Sequence, residues 1–243
     1  MKSLMILLPL MAVASCVQAA EKAKDSPYSG SAQLGYFYSK SDSTSTSLNT
    51  RLKFGYQGEE VGSNLDFQTF YTKSSGDSST NKYTLTNVNN YNLTERQYLF
   101  GRLQYDHDLY GAFRQKVTGS AGYGVRIVKT DASSLTFDIG PGYRFSEEQK
   151  ASDGSSGERE SEMIGHAGLK GDHKFSDTLE IGANLMTDAG EKNTVSTAEF
   201  NLKNTLIGNL ALVLSTQYIY TDRVPEGQSN DEVFNSINLS YGF

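Results

Sequence analysis

The run Val233-Phe234-Asn235-Ser236-Ile237-Asn238-Leu239-Ser240-Tyr241-Gly242-Phe243 ends the sequence and alternates its side chains with a period of two. Apolar side chains occupy one parity and small or polar ones the other: Val233, Ile237, Leu239, Tyr241 and Phe243 against Ser236, Asn238, Ser240 and Gly242. Successive side chains of a β-strand point to opposite faces, so the run predicts a strand with one apolar and one polar face.

The same period recurs through the chain downstream of Pro27, where clusters of Gly, Asn, Asp and Ser separate the alternating segments. Twelve strands are predicted, at approximately 29–40, 47–57, 63–73, 81–92, 96–106, 115–128, 134–146, 161–174, 178–187, 194–203, 209–221 and 232–243. A soluble β-sandwich would alternate in a similar way, because it buries one parity and wets the other. Periodicity alone therefore leaves the surrounding solvent open.

The lengths of the connections favour a membrane barrel over a sandwich. Even-to-odd connections are brief, at 58–62, 93–95, 129–133, 175–177 and 204–208, whereas the others include the longer, more polar segments 74–80, 107–114, 147–160 and 222–231. Short periplasmic turns and longer extracellular loops are typical of outer-membrane barrels. The predicted fold class is all-β, a single closed antiparallel up-and-down transmembrane β-barrel of about 12 strands over residues 28–243.

Composition excludes several other classes. The chain has 243 residues, and beyond residue 20 no apolar run approaches the roughly 18 residues that a spanning helix requires. With 22 Lys and Arg against 28 Asp and Glu, the net charge of −6 argues against a nucleic-acid-binding surface. Cys16 is the single cysteine, so no intrachain disulfide is expected.

The first twenty residues have the pattern of a secretory signal peptide. Lys2 precedes an apolar stretch from Leu4 to Val13, and small residues follow at Ala19 and Ala20. We therefore expect residues 1–20 to be removed on export, leaving a short periplasmic segment at 21–27 ahead of the barrel. An alternative is a lipobox at Val13-Ala14-Ser15-Cys16, in which Cys16 would carry an acyl anchor.

Several stretches of the chain resemble a known family. The run Ser236 to Phe243, with Tyr241 and the terminal aromatic Phe243, resembles the signal by which the barrel assembly machinery recognises its clients. The other matching stretches are Gly30 to Tyr38, Tyr91-Asn92-Leu93-Thr94-Glu95-Arg96, Tyr98-Leu99-Phe100-Gly101, Gly140-Pro141-Gly142-Tyr143-Arg144, Leu169 to Thr178 and Tyr220 to Gly227. This pattern is similar to the YdiY-like family of salt-induced outer-membrane proteins, domain of unknown function 481. The resemblance implies a Gram-negative outer-membrane barrel, in contact with outer-membrane lipid and lipopolysaccharide, and it transfers no site residue.

Signatures of catalysis or of metal and cofactor binding are not found in the sequence. The three histidines form no His-x-x-x-His pair, and no Gly-x-Ser-x-Gly elbow is present. Asp106-His107-Asp108 is the one candidate for a general base, but neighbours in a strand point to opposite faces. The acidic stretch from Glu147 to Glu162 is a candidate for divalent cations, or simply a hydrated loop. We expect no enzyme, although an outer-membrane hydrolase stays an alternative.

Strand parity predicts the residues that line the barrel lumen. The basic candidates are Arg51, Lys53, Arg102, Lys116, Arg126, Arg144, Lys170 and Lys203, and the others are Asp66, Asp138, His166, Asp172, Glu180 and Glu199. This set has a basic excess, which predicts a slightly basic lumen whose counter-ions are mainly anions. The leading functional hypothesis is a narrow passive pore or an occluded channel. A structural or surface-interaction barrel without conductance is the alternative from another class.

Overall fold

A computed structural model describes residues 26–40, 44–74, 79–149 and 157–243. The predicted signal peptide with Cys16, and part of the acidic stretch, lie outside these ranges. Within them every regular element is a β-strand. A helix long and apolar enough to cross a membrane is not found in the same ranges.

Twelve long strands account for most of the described residues, as the alternation predicts. They are β1 (Tyr28–Lys40), β2 (Thr44–Gln57), β3 (Val61–Ser74), β4 (Ser79–Asn92), β5 (Gln97–Asp108), β6 (Phe113–Lys129), β7 (Ser133–Glu148), β8 (Arg159–Lys174), β9 (Leu179–Gly190), β10 (Thr194–Ile207), β11 (Leu210–Thr221) and β12 (Asp231–Gly242). Each observed strand overlaps its predicted counterpart, with ends that differ by up to four residues.

The strands form a closed antiparallel barrel in which each strand pairs with its neighbours in sequence and β12 pairs with β1. The predicted fold class is therefore confirmed. Closure leaves no free sheet edge of the kind that lipid cannot solvate. We call the end that carries the β2–β3, β4–β5, β6–β7, β8–β9 and β10–β11 connections the turn side, and the opposite end the loop side.

The connections at the two ends of the barrel differ in length only because two loop-side segments are long. The loop-side segments 149–158 and 222–230 are long, whereas the loop-side β5–β6 and β9–β10 connections are as short as the turns. The strands extend further toward the loop side than the sequence predicted; β3 runs to Ser74 and β9 to Gly190. The tightest turn, between β10 and β11, holds Gly208 at a φ of 51°, a left-handed conformation that suits glycine.

The two faces of the barrel wall have opposite character. Large apolar side chains are exposed on the outside, for example Met163 at 69%, Ile237 at 66% and Leu103 at 57% of their surface. Buried polar and charged residues outnumber buried apolar ones in the described part of the chain. A water-soluble protein has the reverse distribution, so the outer face is suited to hydrocarbon and the inner face to water.

Pro141 interrupts one ladder without changing its register. Ser120 pairs with Gly142 and Tyr123 with Ile139, so β6 and β7 keep the same offset on both sides of Pro141. The β6–β7 ladder therefore has no bulge at Pro141. A Cβ on Gly140 would lie 2.1 Å from the carbonyl oxygen of Ala121, so the backbones approach there more closely than a side chain allows. The ladder on the β8 side of Pro141 continues, through its pair with Gly165.

The junction of the first and last strands is short. β1 and β12 share a ladder of four residue pairs, from Ser31 with Gly242 to Leu34 with Leu239. The backbone of Phe243 adds two hydrogen bonds with Gly30, and its ring packs against the ring of Phe54 at 6.2 Å. The terminal aromatic residue therefore fastens the turn-side end of the junction.

Candidate functional site

The interior of the barrel contains a cavity of about 640 Å³. Its wall reaches the turn side at Gly30 and Ser134. Ten of the predicted lumen residues line it: Arg51, Lys53, Asp66, Arg102, Arg126, Asp138, His166, Lys170, Asp172 and Glu199. The other four lie outside its lining, with Lys203 and Glu180 3.8 Å apart as a half-exposed pair, and Lys116 and Arg144 nearer the loop side.

Arg51 bridges opposite parts of the cavity wall. Its guanidinium donates to both carboxylate oxygens of Asp66 on β3, with the shortest distance at 2.7 Å from Nη2. The same group donates to Glu199 on β10 across the lumen. We call these three residues the Arg51 bridge; because one guanidinium serves two carboxylates, neither acid is left unpaired.

A second set of contacts crosses the barrel from β5 to β9. Nη1 of Arg102 lies 3.4 Å from Oδ2 of Asp188, and Arg102 also donates to Gln104. His166 is 3% exposed, with Nδ1 2.6 Å from Asp188 and Nε2 3.0 Å from Asp138. We call these five residues the middle cluster. Since both imidazole nitrogens face carboxylate oxygens, the doubly protonated ring satisfies both contacts.

A third set, the loop-side cluster, consists of Phe70, Lys82, Asp108, Glu232 and Phe234. Nζ of Lys82 lies 2.6 Å from Glu232 and 3.9 Å from Asp108. The rings of Phe70 and Phe234 stack with centroids 4.6 Å apart, and Nζ of Lys82 sits 4.9 Å from the centre of the Phe234 ring. None of the five lines the cavity, so this cluster lies beyond its loop-side limit.

Arg144 is the most buried charged side chain that the structure describes, at 2% exposure. Its Nη2 donates to Oε1 of Glu162 at 2.7 Å, and the guanidinium also donates to the carbonyl oxygens of Asp188 and Asn193. Glu162 in turn accepts from the backbone N–H of Lys192 at 2.8 Å. This network ties β7 and β8 to the β9–β10 connection at the loop side.

The charges that line the cavity are close to balanced. Five basic residues, Arg51, Lys53, Arg102, Arg126 and Lys170, face five acidic ones, Asp66, Asp106, Asp138, Asp172 and Glu199, and His166 adds one positive charge in its doubly protonated form. The basic excess predicted for the lumen is reduced to that one charge in the cavity lining. The predicted lumen set left out five interior residues: Lys82, Asp106, Glu162, Asp188 and Glu232. Asp188 lies one residue past the predicted end of its strand, whereas the other four fall on the inward parity of predicted strands.

The Asp106-His107-Asp108 candidate is divided between the two faces of β5. Asp106 points inward and accepts from Oγ1 of Thr84 at 2.7 Å, whereas the His107 ring stacks on Tyr83 at 4.8 Å. Asp108 accepts from the backbone N–H of Tyr110 at 2.9 Å and thereby shapes the β5–β6 connection. These side chains are not brought together as an acid–base pair. Over the described ranges, no group of three or more His, Cys, Asp or Glu residues is arranged to hold a metal ion.

Solved structures with a similar fold are outer-membrane barrels. An outer-membrane channel from Pseudomonas putida F1 superposes with a TM-score of 0.51 at 13% identity, covering 89% of this chain and 95% of that one. The translocator domain of the autotransporter NalP from Neisseria meningitidis gives a TM-score of 0.52 at 15% identity, covering 97% of this chain and 94% of that one. At these identities the likeness establishes the fold, that of an outer-membrane β-barrel.

Sequence comparison identifies the family. The uncharacterized protein YdiY of Escherichia coli (strain K12) is 25% identical over 170 residues, which are 70% of this chain and 65% of that protein. The chain thus spans slightly less than two thirds of the length of this relative. The family described as "Protein of unknown function, DUF481" matches residues 32–243, nearly the whole barrel, and the chain therefore belongs to the DUF481 family.

Proposed function

We propose that the protein is a channel of the outer membrane whose lumen is occluded at rest. The observation that carries this proposal is the loop-side cluster, in which Lys82, Glu232 and two stacked phenylalanine rings join β3 and β4 to β12 across the interior. The cavity beneath it is lined mainly by polar and charged residues and reaches the turn side. A barrel of twelve strands lies between the roughly 8 strands whose own side chains fill the interior and the roughly 16 that enclose an open pore.

The proposal places the turn side in the periplasm and the loop side outside the cell. Apolar side chains on the outer face contact membrane lipid, with lipopolysaccharide around the loop side. Tyr241 and Phe243, at the end of β12, present the signal for the barrel assembly machinery. Residues 1–20 direct export and are absent from the mature barrel. The role is passive, and no reaction is assigned to the barrel.

A structural barrel without conductance is the second candidate. It is favoured by the number of independent links across the interior, since the Arg51 bridge, the middle cluster and the loop-side cluster each join strands that are not neighbours. Satisfied interior networks of this kind hold a barrel rigidly in one shape. The two candidates differ in whether any movement of the loop-side cluster admits ions.

Single-channel recording of the purified mature barrel in a planar lipid bilayer tests the proposal. We expect a current close to baseline, with brief openings when voltage displaces the charged side chains of the loop-side cluster. A steady, wide open level in the wild-type protein would contradict occlusion. Complete silence at every voltage would favour the structural barrel.

A further inference from the structure

Two lysines that line the cavity have no ionic partner. Lys53 is half-buried on β2, and Lys170 is exposed to the interior on β8. Within residues 26–40, 44–74, 79–149 and 157–243, neither Nζ has a carboxylate oxygen within 4.0 Å, nor a hydrogen-bond acceptor. An ammonium group inside a protein is normally paired, so these two need explanation.

The ion-pair arrangement around Lys53 explains why it is left alone. Asp66 stands directly opposite Lys53 in the β2–β3 ladder, but both oxygens of Asp66 accept from Arg51. Glu199, the next carboxylate across the lumen, is also held by Arg51. The Arg51 bridge therefore uses both acids that could have neutralised Lys53.

Lys170 has neutral neighbours in both of its ladders. Its cross-strand partners are Thr136 on β7 and Asn184 on β9. The nearest carboxylates along the wall are engaged elsewhere, Asp172 with Ser134 at 3.2 Å and Asp138 with His166 at 3.0 Å. The positive charge of Lys170 is thus directed at the cavity.

The two lysines face each other. Six strand steps separate β2 from β8 in either direction around the twelve-stranded barrel, so the two walls are opposite. Lys53 lies four residues before the turn-side end of β2, Gln57, and Lys170 lies four before the turn-side end of β8, Lys174. Both ammonium groups therefore belong to the turn-side part of the cavity lining, and a ligand with two negative groups would neutralise both charges.

We propose that Lys53 and Lys170 form a binding site for a small dicarboxylate that enters the barrel from its turn side. Each ammonium group receives one carboxylate, which explains why the two charges stand on opposite walls. The side-chain amides of Asn64 and Asn184 line the same cavity and make no side-chain hydrogen bond to the described residues, so both can donate to the ligand. The cavity volume of about 640 Å³ lies within the range of small-molecule sites.

Isothermal titration calorimetry of the mature barrel in detergent at low salt tests the site, with succinate, adipate, acetate and inorganic phosphate as probes. We expect saturable binding of at least one dicarboxylate, about ten-fold tighter than acetate. Lys53→Gln and Lys170→Gln should each weaken this binding about ten-fold. Lys129→Gln, which removes an exposed lysine outside the cavity lining, should leave it unchanged.

Thermal unfolding provides a readout that a merely structural lysine would not give. Without ligand, Lys53→Gln should raise the unfolding temperature, because it removes an ammonium group that has no ionic partner and lies beside Arg51 on the same face of β2. With dicarboxylate, the wild type should gain more stability than the variant. Equal affinity in wild type and both variants, tighter binding of phosphate than of either dicarboxylate, or a lower unfolding temperature for ligand-free Lys53→Gln would each overturn the proposal. Binding is measured without a current, so its failure and the failure of the channel proposal are separate results.

Discussion

Replacing Phe70 and Phe234 together with alanine is expected to open the barrel and to raise its single-channel conductance several-fold. The two rings stack at 4.6 Å inside the lumen, beyond the loop-side limit of the cavity. Their removal takes away the apolar part of the loop-side cluster and the ring over which Lys82 lies. Lys82 and Glu232 are then surrounded by water, where their attraction is weak and the side chains can move apart.

The matched control is Phe137→Ala with Phe200→Ala. It removes the same number of rings from the outer face, where these side chains are exposed, and should leave the conductance at the wild-type level. Both double variants must first run as folded barrels on unheated gels. If the Phe70 and Phe234 variant folds and its conductance stays at baseline, the loop-side cluster is not the block.

Arg144→Met is expected to destabilise the barrel by about 3 to 5 kcal/mol, the usual effect of removing one partner of a buried ion pair. The change leaves Glu162, with its side chain 9% exposed, without its guanidinium partner. It also removes the donor to the carbonyl oxygens of Asp188 and Asn193. Equilibrium unfolding in urea, followed in lipid or detergent, measures the loss.

Two further variants test whether the destabilisation by Arg144→Met arises from the buried ion pair with Glu162. Lys203→Met breaks the pair with Glu180, in which the side chains are 48% and 33% exposed, and should lower the free energy of unfolding by less than about 1 kcal/mol. Adding Glu162→Gln to Arg144→Met removes the stranded charge and should restore part of the loss. Equal effects of Arg144→Met and Lys203→Met would contradict the role given to burial.

The fold was predictable because a β-barrel is encoded locally. Each strand shows its period of two within its own segment, as in β12, and the even number of strands follows from counting them. Strand ends were less predictable. Gly190 ends β9 three residues past the predicted end, next to polar residues that continue the same composition, so the sequence holds no sharp boundary there.

The interior contacts were not predictable in the same way. Parity placed Arg51 and Glu199 on the inner face, but their pairing across the lumen depends on strand tilt and on the side-chain lengths of residues 148 positions apart. The balance of charges inside the lumen also depends on where individual strands end. Asp188 belongs to the interior only because β9 continues past residue 187. A shift of one residue in a strand boundary therefore changes the expected charge of the lumen.

The most direct test of an occluded channel that opens toward the turn side is the labelling of one cysteine inside the cavity. The single native cysteine, Cys16, precedes the barrel. Thr136 lines the cavity near the turn side of β7, so Thr136→Cys places a thiol there. A membrane-impermeant maleimide should label this cysteine only after the outer membrane is disrupted, while Ser229→Cys in the exposed loop 222–230 is labelled on intact cells. In the Phe70→Ala and Phe234→Ala background, Thr136→Cys should become reactive from outside. Labelling of Thr136→Cys on intact wild-type cells as fast as Ser229→Cys would contradict the account.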